Sequence, residues 1–245
     1  MTSISKHYNE HLGPVYAWSL GGIDAALQRG EAELTSIAID RSSGGVAVDL
    51  GAGFGTHAIP LAQAEYRVLA IDSCALLLDQ LQRTAGPLSI RCIEDDLLDF
   101  DRYLSGTAEL ILCLGDTLTH LGNHAAVEQL VAKATDALSD NGRLVVSFRD
   151  YSVALRGAAR FIPVRYDDDR MLTCFLEYQD ASVTVHDLLH ERTDQGWELK
   201  ISTYGKLRLS SAWIIQLMKN QGLVVREGPG SSGMIRLEGR RRSAA

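Results

Sequence analysis

Residues 46–56, VAVDLGAGFGT, constrain the fold of this chain more than any other stretch. Val46, Val48 and Leu50 form the apolar run of a buried strand, and Gly51, Gly53 and Gly55 follow at every second position. THAIPLAQA then opens a helix, so the stretch reads as parallel strand, tight turn, helix. The glycines place no Cβ between the backbone and whatever lies over the turn, and the first N–H groups of the helix have no intrahelical partner. A ligand is expected there.

The spacing separates two kinds of nucleotide. A dinucleotide fingerprint has G-x-G-x-x-G, with a pyrophosphate at the helix N-terminus. Here Thr56 stands where the third glycine would be, and Asp49 precedes the turn. A carboxylate at the strand tip repels a pyrophosphate but can counter a cation or accept from an amino group. A neutral or cationic nucleoside is the better match.

The alternation of strand and helix continues. YRVLAI (66–71) is a second strand ending at Asp72, about 20 residues after the turn, the length of one helix and a return strand. An acid at that tip can accept two ribose hydroxyls, or it can cap the helix SCALLLDQLQRTAG, as can Ser73. SIRCI (89–93) is a third strand, and the Glu94, Asp95, Asp96 and Asp99 cluster after it must stay wet or bind something. ELILCLG (109–115) is a fourth, running into Gly115-Asp116-Thr117, and NGR (141–143) turns into a fifth, LVVSF, which ends at Arg149-Asp150. In an open α/β sheet ligands lie beyond the carboxyl ends of the strands, and all these residues fall on that edge.

Residues 4–36 read as helices interrupted at Leu12-Gly13-Pro14 and Gly21-Gly22, with Gly30 as a further break. Such short helices suit a lid, with Tyr8, Tyr16 and Trp18 either covering a ligand or anchoring the core. From residue 160 to 208 the period becomes that of antiparallel strands joined by hairpin turns, before the helix SSAWIIQLMKNQG and closing strands at 223–226 and 234–238. The expected fold is α/β: a Rossmann-like, seven-stranded, mostly parallel sheet with helices on both faces, an N-terminal helical lid (1–39) and a core (40–150). An antiparallel insertion (151–209) precedes the last helix and a closing hairpin (210–245).

A net charge of −7 argues against a broad nucleic-acid surface, and the basic C-terminal run RRRSAA reads as a solvated end. No 18-residue apolar run or signal peptide is apparent, so neither a membrane nor a nucleic acid is expected as a partner. Cys74, Cys92, Cys113 and Cys174 match neither a disulfide framework nor a zinc spacing and suit buried thiols in the cytoplasm. No metal is expected. His186 and His190 share a strand face but lack a third ligand.

VAVDLGAGFG resembles motif I of the class I S-adenosylmethionine-dependent methyltransferases, an acidic residue followed by x-G-x-G-x-G. VLAID is similar to the next motif, IEDDLLDF to the acidic loop after the third strand, and ELILCLGDTLTHL to the strand-four motif of glycine N-methyltransferase-like enzymes. The resemblance implies S-adenosylmethionine as cofactor and S-adenosylhomocysteine as product. Cofactor contacts are expected from Tyr8, Trp18, Asp49, Gly51, Ala52, Gly53, Gly55, Thr56, Asp72, Ser73, Asp95, Asp96, Leu97, Leu114, Gly115 and Asp116, with Asp49 either facing the cofactor's positive end or holding the glycine turn through hydrogen bonds. Within these, Asp72 would hold the ribose and Asp96 the adenine amino group. An asparagine commonly follows the strand-four glycine in the family, where this chain has Asp116. A small-molecule acceptor methylated at nitrogen or oxygen is implied, with a homodimer or higher homo-oligomer as well as a monomer open.

Methyl transfer is an in-line displacement that needs alignment, exclusion of water and a route for any proton. His120, just after the fourth strand, and Tyr204 are the candidates for catalysis. Tyr16, Arg149, Arg160, Arg165, Tyr166 and His186 are the candidates for holding the acceptor, the arginines by clamping a carboxylate. Ion pairs with Asp167, Asp168 and Asp169 would account for the nearby arginines equally well.

Overall fold

The computed structural model describes residues 3–39 and 44–243. The chain opens with α1 (Ile4–His7), a π-helical turn (Tyr8–Leu12) and α2 (Gly13–Ser19), which run on as one helix. The break expected at Leu12-Gly13-Pro14 is absent. The wide π turn carries the Gly13 N–H to the Tyr8 carbonyl, and this local widening is where the helix takes in Pro14, which has no N–H to donate. Gly21 and Gly22, both at positive φ, do end the helix and lead into α3 (Ile23–Ser36). Gly30 does not interrupt α3. A Cβ there would stand 1.8 Å from the Thr56 carbonyl oxygen, so this glycine lets the helix lie against the turn that follows β1.

The core alternates β1 (Val46–Leu50), α4 (Ala58–Gln63), β2 (Arg67–Asp72), α5 (Ala75–Ala85), β3 (Ile90–Glu94), β4 (Ala108–Cys113), α6 (His124–Ala137) and β5 (Leu138–Phe148). Asn141, expected in a turn, lies inside β5, left-handed beside an irregularity in its pairing with β4. The insertion contains β6 (Phe161–Tyr166), β7 (Arg170–Tyr178), β8 (Ser182–Thr193) and β9 (Gly196–Leu207). The chain ends in α7 (Ser211–Asn220), β10 (Val224–Pro229) and β11 (Ile235–Arg240). Ser210 caps α7 by accepting the Trp213 N–H.

The main sheet has seven strands in the order β10-β11-β5-β4-β1-β2-β3, parallel from β5 to β3, with β11 antiparallel to its neighbours. Its central strands β1, β2 and β4 are almost wholly buried, as crossover connections on both faces require. Val127, Leu130 and Val131 of α6 and Ile214 and Met218 of α7 pack on one face; Leu34 of α3, Ile59 and Leu61 of α4 and Leu78 and Leu81 of α5 pack on the other. The insertion is a separate four-stranded antiparallel sheet, β6-β7-β8-β9, and α1 lies against β9.

The basic C-terminal run is not simply solvated. One Arg241 Nη donates to the carbonyls of Thr135, Asp136 and Leu138, closing the end of α6, and Arg240 donates to Asn141. Ala244 and Ala245 of that run lie outside the described residues.

Candidate active site

The carboxyl ends of the parallel strands open into a cavity of about 940 Å³, roofed by the N-terminal helices and walled by the insertion sheet. One end of it is built from backbone turns. Gly51 (φ 79°) could not carry a side chain, since its Cβ would lie 2.5 Å from Thr117. Gly53 is open to the cavity, with the Tyr16 ring the nearest neighbour at 3.6 Å. Asp72 binds the turn to β2: one oxygen accepts the Gly53 N–H at 2.7 Å, the other the Cys74 N–H at 2.9 Å. Burial raises its pKa, and these backbone donors oppose the rise. Each oxygen keeps a lone pair for a further hydroxyl.

Asp96 accepts the Leu98 N–H as the cap of a short helix, while Asp95 takes the Tyr103 hydroxyl and the Asp96 N–H. Of the residues expected at the cofactor, Tyr8, Gly51, Ala52, Gly53, Thr56, Asp72, Ser73, Asp95, Asp96, Leu97, Leu114, Gly115 and Asp116 line this cavity. Three others do not. Gly55 faces Leu81 and Ile59, 2.3 and 3.1 Å from its missing Cβ, so it serves helix packing. Asp49 is buried under the turn, where burial pushes its pKa up to about 6 and the Ala58 N–H counters the rise. Trp18 points to the insertion, its indole N–H donating to Asp167.

The other end of the cavity is built around an ion pair. Asp116, left-handed at φ 74°, turns its carboxylate inward. One oxygen accepts the Arg149 N–H at 2.9 Å; the other accepts Lys206 Nζ at 2.5 Å and the Tyr151 hydroxyl at 3.3 Å. The tips of β4 and β5 are thereby tied to β9. Burial would raise the Asp116 carboxyl, but the Lys206 ammonium more than offsets it and holds it below the usual range. This carboxylate has its partners, so Asp116 is a strut of the wall.

His120 stacks on Tyr204 with ring centroids 5.6 Å apart and meets Tyr8 edge-on at 5.8 Å. Burial and then the Lys206 ammonium push its pKa down to about 3, so the imidazole is neutral across the working range; its buried Nδ1 has no hydrogen-bond partner. Tyr204 is pressed between His120 and His7, and burial raises its phenol well above 10. Neither side chain is fitted to be a strong base at neutral pH.

Tyr16, Arg149 and Arg165 also line the cavity. Arg160, Tyr166 and His186 do not. Arg160 lies over Phe175, and Tyr166 is 77% exposed. His186 bonds Glu177 at 2.6 Å and Thr203 at 3.1 Å on the outer face of the insertion. The inner phase of β8 is Val183, Val185, Asp187 and Leu189, one residue out of step with His186.

Sequence reasoning missed Lys206 and Asp187. Asp187, also on the cavity wall, accepts from Cys174 Sγ at 2.9 Å and lies 3.2 Å from His7 Nε2, while His7 Nδ1 bonds Ser202 at 2.9 Å. These contacts fasten α1 to the insertion. The signal was available: a carboxylate in the apolar phase of VTVHDLL, and a lysine two residues beyond an inward tyrosine, need buried partners.

Residues 47–142 match the methyltransferase domain family. Glycine/sarcosine N-methyltransferase of Halorhodospira halochloris is 25% identical over 183 residues, covering 66% of this chain and 68% of that protein. An S-adenosylmethionine-dependent methyltransferase from Clostridium acetobutylicum superposes with a TM-score of 0.76 at 13% identity, over 96% of this chain and 99% of that one. An S-adenosylmethionine-bound amino pentose methyltransferase from Micromonospora echinaspora superposes with a TM-score of 0.73 at 16% identity, over 94% and 97%. These likenesses agree with the seven-stranded fold and the antiparallel insertion expected from the sequence.

Proposed function

We propose that this class I S-adenosylmethionine-dependent methyltransferase moves the methyl group to an amine nitrogen of a small polar molecule. The residues present suit the cofactor: Gly53 is open where a Cβ would intrude, Asp72 keeps lone pairs for ribose hydroxyls, and Asp95 and Asp96 line the nucleoside end. When bound, S-adenosylmethionine supplies a methyl group activated by a sulfonium centre.

The observation that carries the choice of nitrogen is the pair of side chains at the acceptor end. A hydroxyl acceptor must shed its proton as it attacks, yet His120 is a very weak base and Tyr204 stays un-ionised. A neutral amine brings its own lone pair and can lose its proton after the new bond forms. Tyr8, Tyr16 and Tyr204 exclude water, and the Asp116–Lys206 pair fixes the wall. The similarity to a glycine/sarcosine N-methyltransferase and to an amino pentose methyltransferase supports the same class of acceptor. Free cysteines throughout the described residues suit a reducing, cytoplasmic setting.

The test is S-adenosylhomocysteine release and product mass with glycine, sarcosine, amino sugars and matched hydroxy analogues as acceptors. Turnover confined to amines is expected. Transfer to the hydroxy analogues at equal rates would overturn the reading.

A further inference from the structure

The four strands of the insertion put their two faces to different uses. Side chains alternate along a strand and directly paired residues share a face, so the register fixes which residues lie together. On the inner face Leu172 pairs with Leu189, and Cys174, Asp187 and Ser202 form a row turned toward α1 and the cavity. The outer face carries three rows that each cross all four strands, one from Phe161 to Thr203, one from Pro163 to Ile201 and one from Tyr166 to Leu199. No lysine, arginine, aspartate or glutamate stands in any of the three.

This outer face is apolar and open. Phe161, Tyr166, Met171, Leu199 and Ile201 of these rows, and Trp197 two residues before Leu199 on β9, are 42–77% exposed. Of the eleven exposed large hydrophobic side chains among the described residues, seven lie on these four strands, so the exposure is concentrated rather than scattered. With side chains of this size at about half exposure, the face leaves on the order of 700 Å² open per chain. That exceeds the roughly 300–600 Å² of the largest patch on a typical monomer and approaches the roughly 800 Å² that each partner brings to a stable interface.

We infer that this face packs on the same face of a second copy of the chain, sheet against sheet about a two-fold axis. A two-fold sets a surface against its own image, where a charged patch meets like charge and is repelled. The three uncharged rows meet no such penalty, and His186 within them is already bonded to Glu177. Arg160, Glu177 and Arg192 stand at the border, as the polar rim of such an interface would. Antiparallel sheets pack face to face in this way at a separation of about 10 Å. The pairing also steadies the cavity wall. Leu188 and Ile201 face the partner copy, while their chain neighbours Asp187 and Ser202 face the cavity and α1.

Sedimentation equilibrium of the full chain at micromolar concentration tests this. The wild type should sediment as a dimer. Ile201→Glu and Tyr166→Glu, each at an exposed position, bury a carboxylate in both halves of the interface and should raise the dimer dissociation constant at least a hundredfold. S-adenosylhomocysteine affinity within twofold of the wild type checks that both variants fold. Val224→Glu, at a position 44% exposed on β10, should remain dimeric. Amide hydrogen exchange in β8 and β9 should slow as wild-type concentration rises and stay unchanged in Ile201→Glu. A monomeric wild type would overturn the pairing and leave the face to a partner of another kind. A dimer that survives both substitutions would overturn it too, since its interface would lie elsewhere.

Discussion

Replacing Lys206 by methionine removes the cation from the buried pair that joins the insertion to the core. The Asp116 carboxylate would keep only the Arg149 N–H and the Tyr151 hydroxyl. Breaking one side of a buried ion pair costs about 3–5 kcal/mol, and for a chain of this size each kcal/mol moves Tm by about 2–4 °C. Lys206→Met should therefore melt roughly 6–20 °C below the wild type near pH 8. The pH dependence follows from Asp116. In the wild type its carboxyl lies below the unfolded value, so its contribution is present above about pH 4 and is lost as pH falls through the folded value. Without the ammonium, burial dominates and raises the folded pKa above the unfolded one, so the carboxylate destabilises the variant increasingly as pH rises toward that value. The deficit should be widest near pH 8 and narrow toward pH 5. Asp116→Asn/Lys206→Met removes both charges of the pair and should recover all but about 1 kcal/mol. Thermal and urea unfolding of the three proteins at both pH values gives the answer. A single variant as stable as the wild type at pH 8, or a deficit unchanged at pH 5, would refute the assignment of Lys206 as the counter-charge of Asp116.

Other outcomes follow from the same geometry. Asp72→Ala loses the Gly53 and Cys74 bonds as well as any ribose contact, so calorimetry should show S-adenosylhomocysteine binding weakened more than tenfold; unchanged affinity would move the nucleoside elsewhere. Gly30→Ala drives a Cβ against the Thr56 carbonyl and should cost about 2 kcal/mol by denaturant unfolding, comparable to other overpacked contacts. Asp49, with its pKa raised to about 6, destabilises the fold progressively as pH rises from below 4 through 6; Asp49→Asn removes that slope and should gain about 3 kcal/mol at pH 8 relative to pH 4. His7→Phe severs α1 from Asp187 and Ser202, and hydrogen exchange over residues 4–19 should speed up relative to α6, which serves as the internal reference.

The strand-turn-helix at 46–63 was legible because each of its signals is local. An apolar run, closely spaced glycines and a helical period decide the backbone before any distant contact forms. The same pattern does not divide its glycines by role. Gly53 faces the cavity and Gly55 faces Leu81, a difference set by where α5 docks. Trp18, Tyr166 and Arg160 lie outside the cavity lining for a related reason: their residue types suit a binding site, but the N-terminal helices and the insertion present them to one another or to solvent.

The sequence by itself determined the order of elements, the parallel core, the antiparallel insertion and the edge on which Asp72, Asp96, Gly115 and Arg149 gather. Periodicity and chain connectivity suffice for those. Only the tertiary structure decided which phase of the insertion faces the core. Because side chains alternate along a strand, that one choice turns His186 outward and Asp187 inward, and it carries Lys206 onto Asp116. The Asp116–Lys206 end of the cavity is thus made by contacts between residues about 90 to 195 positions apart, which no local pattern encodes.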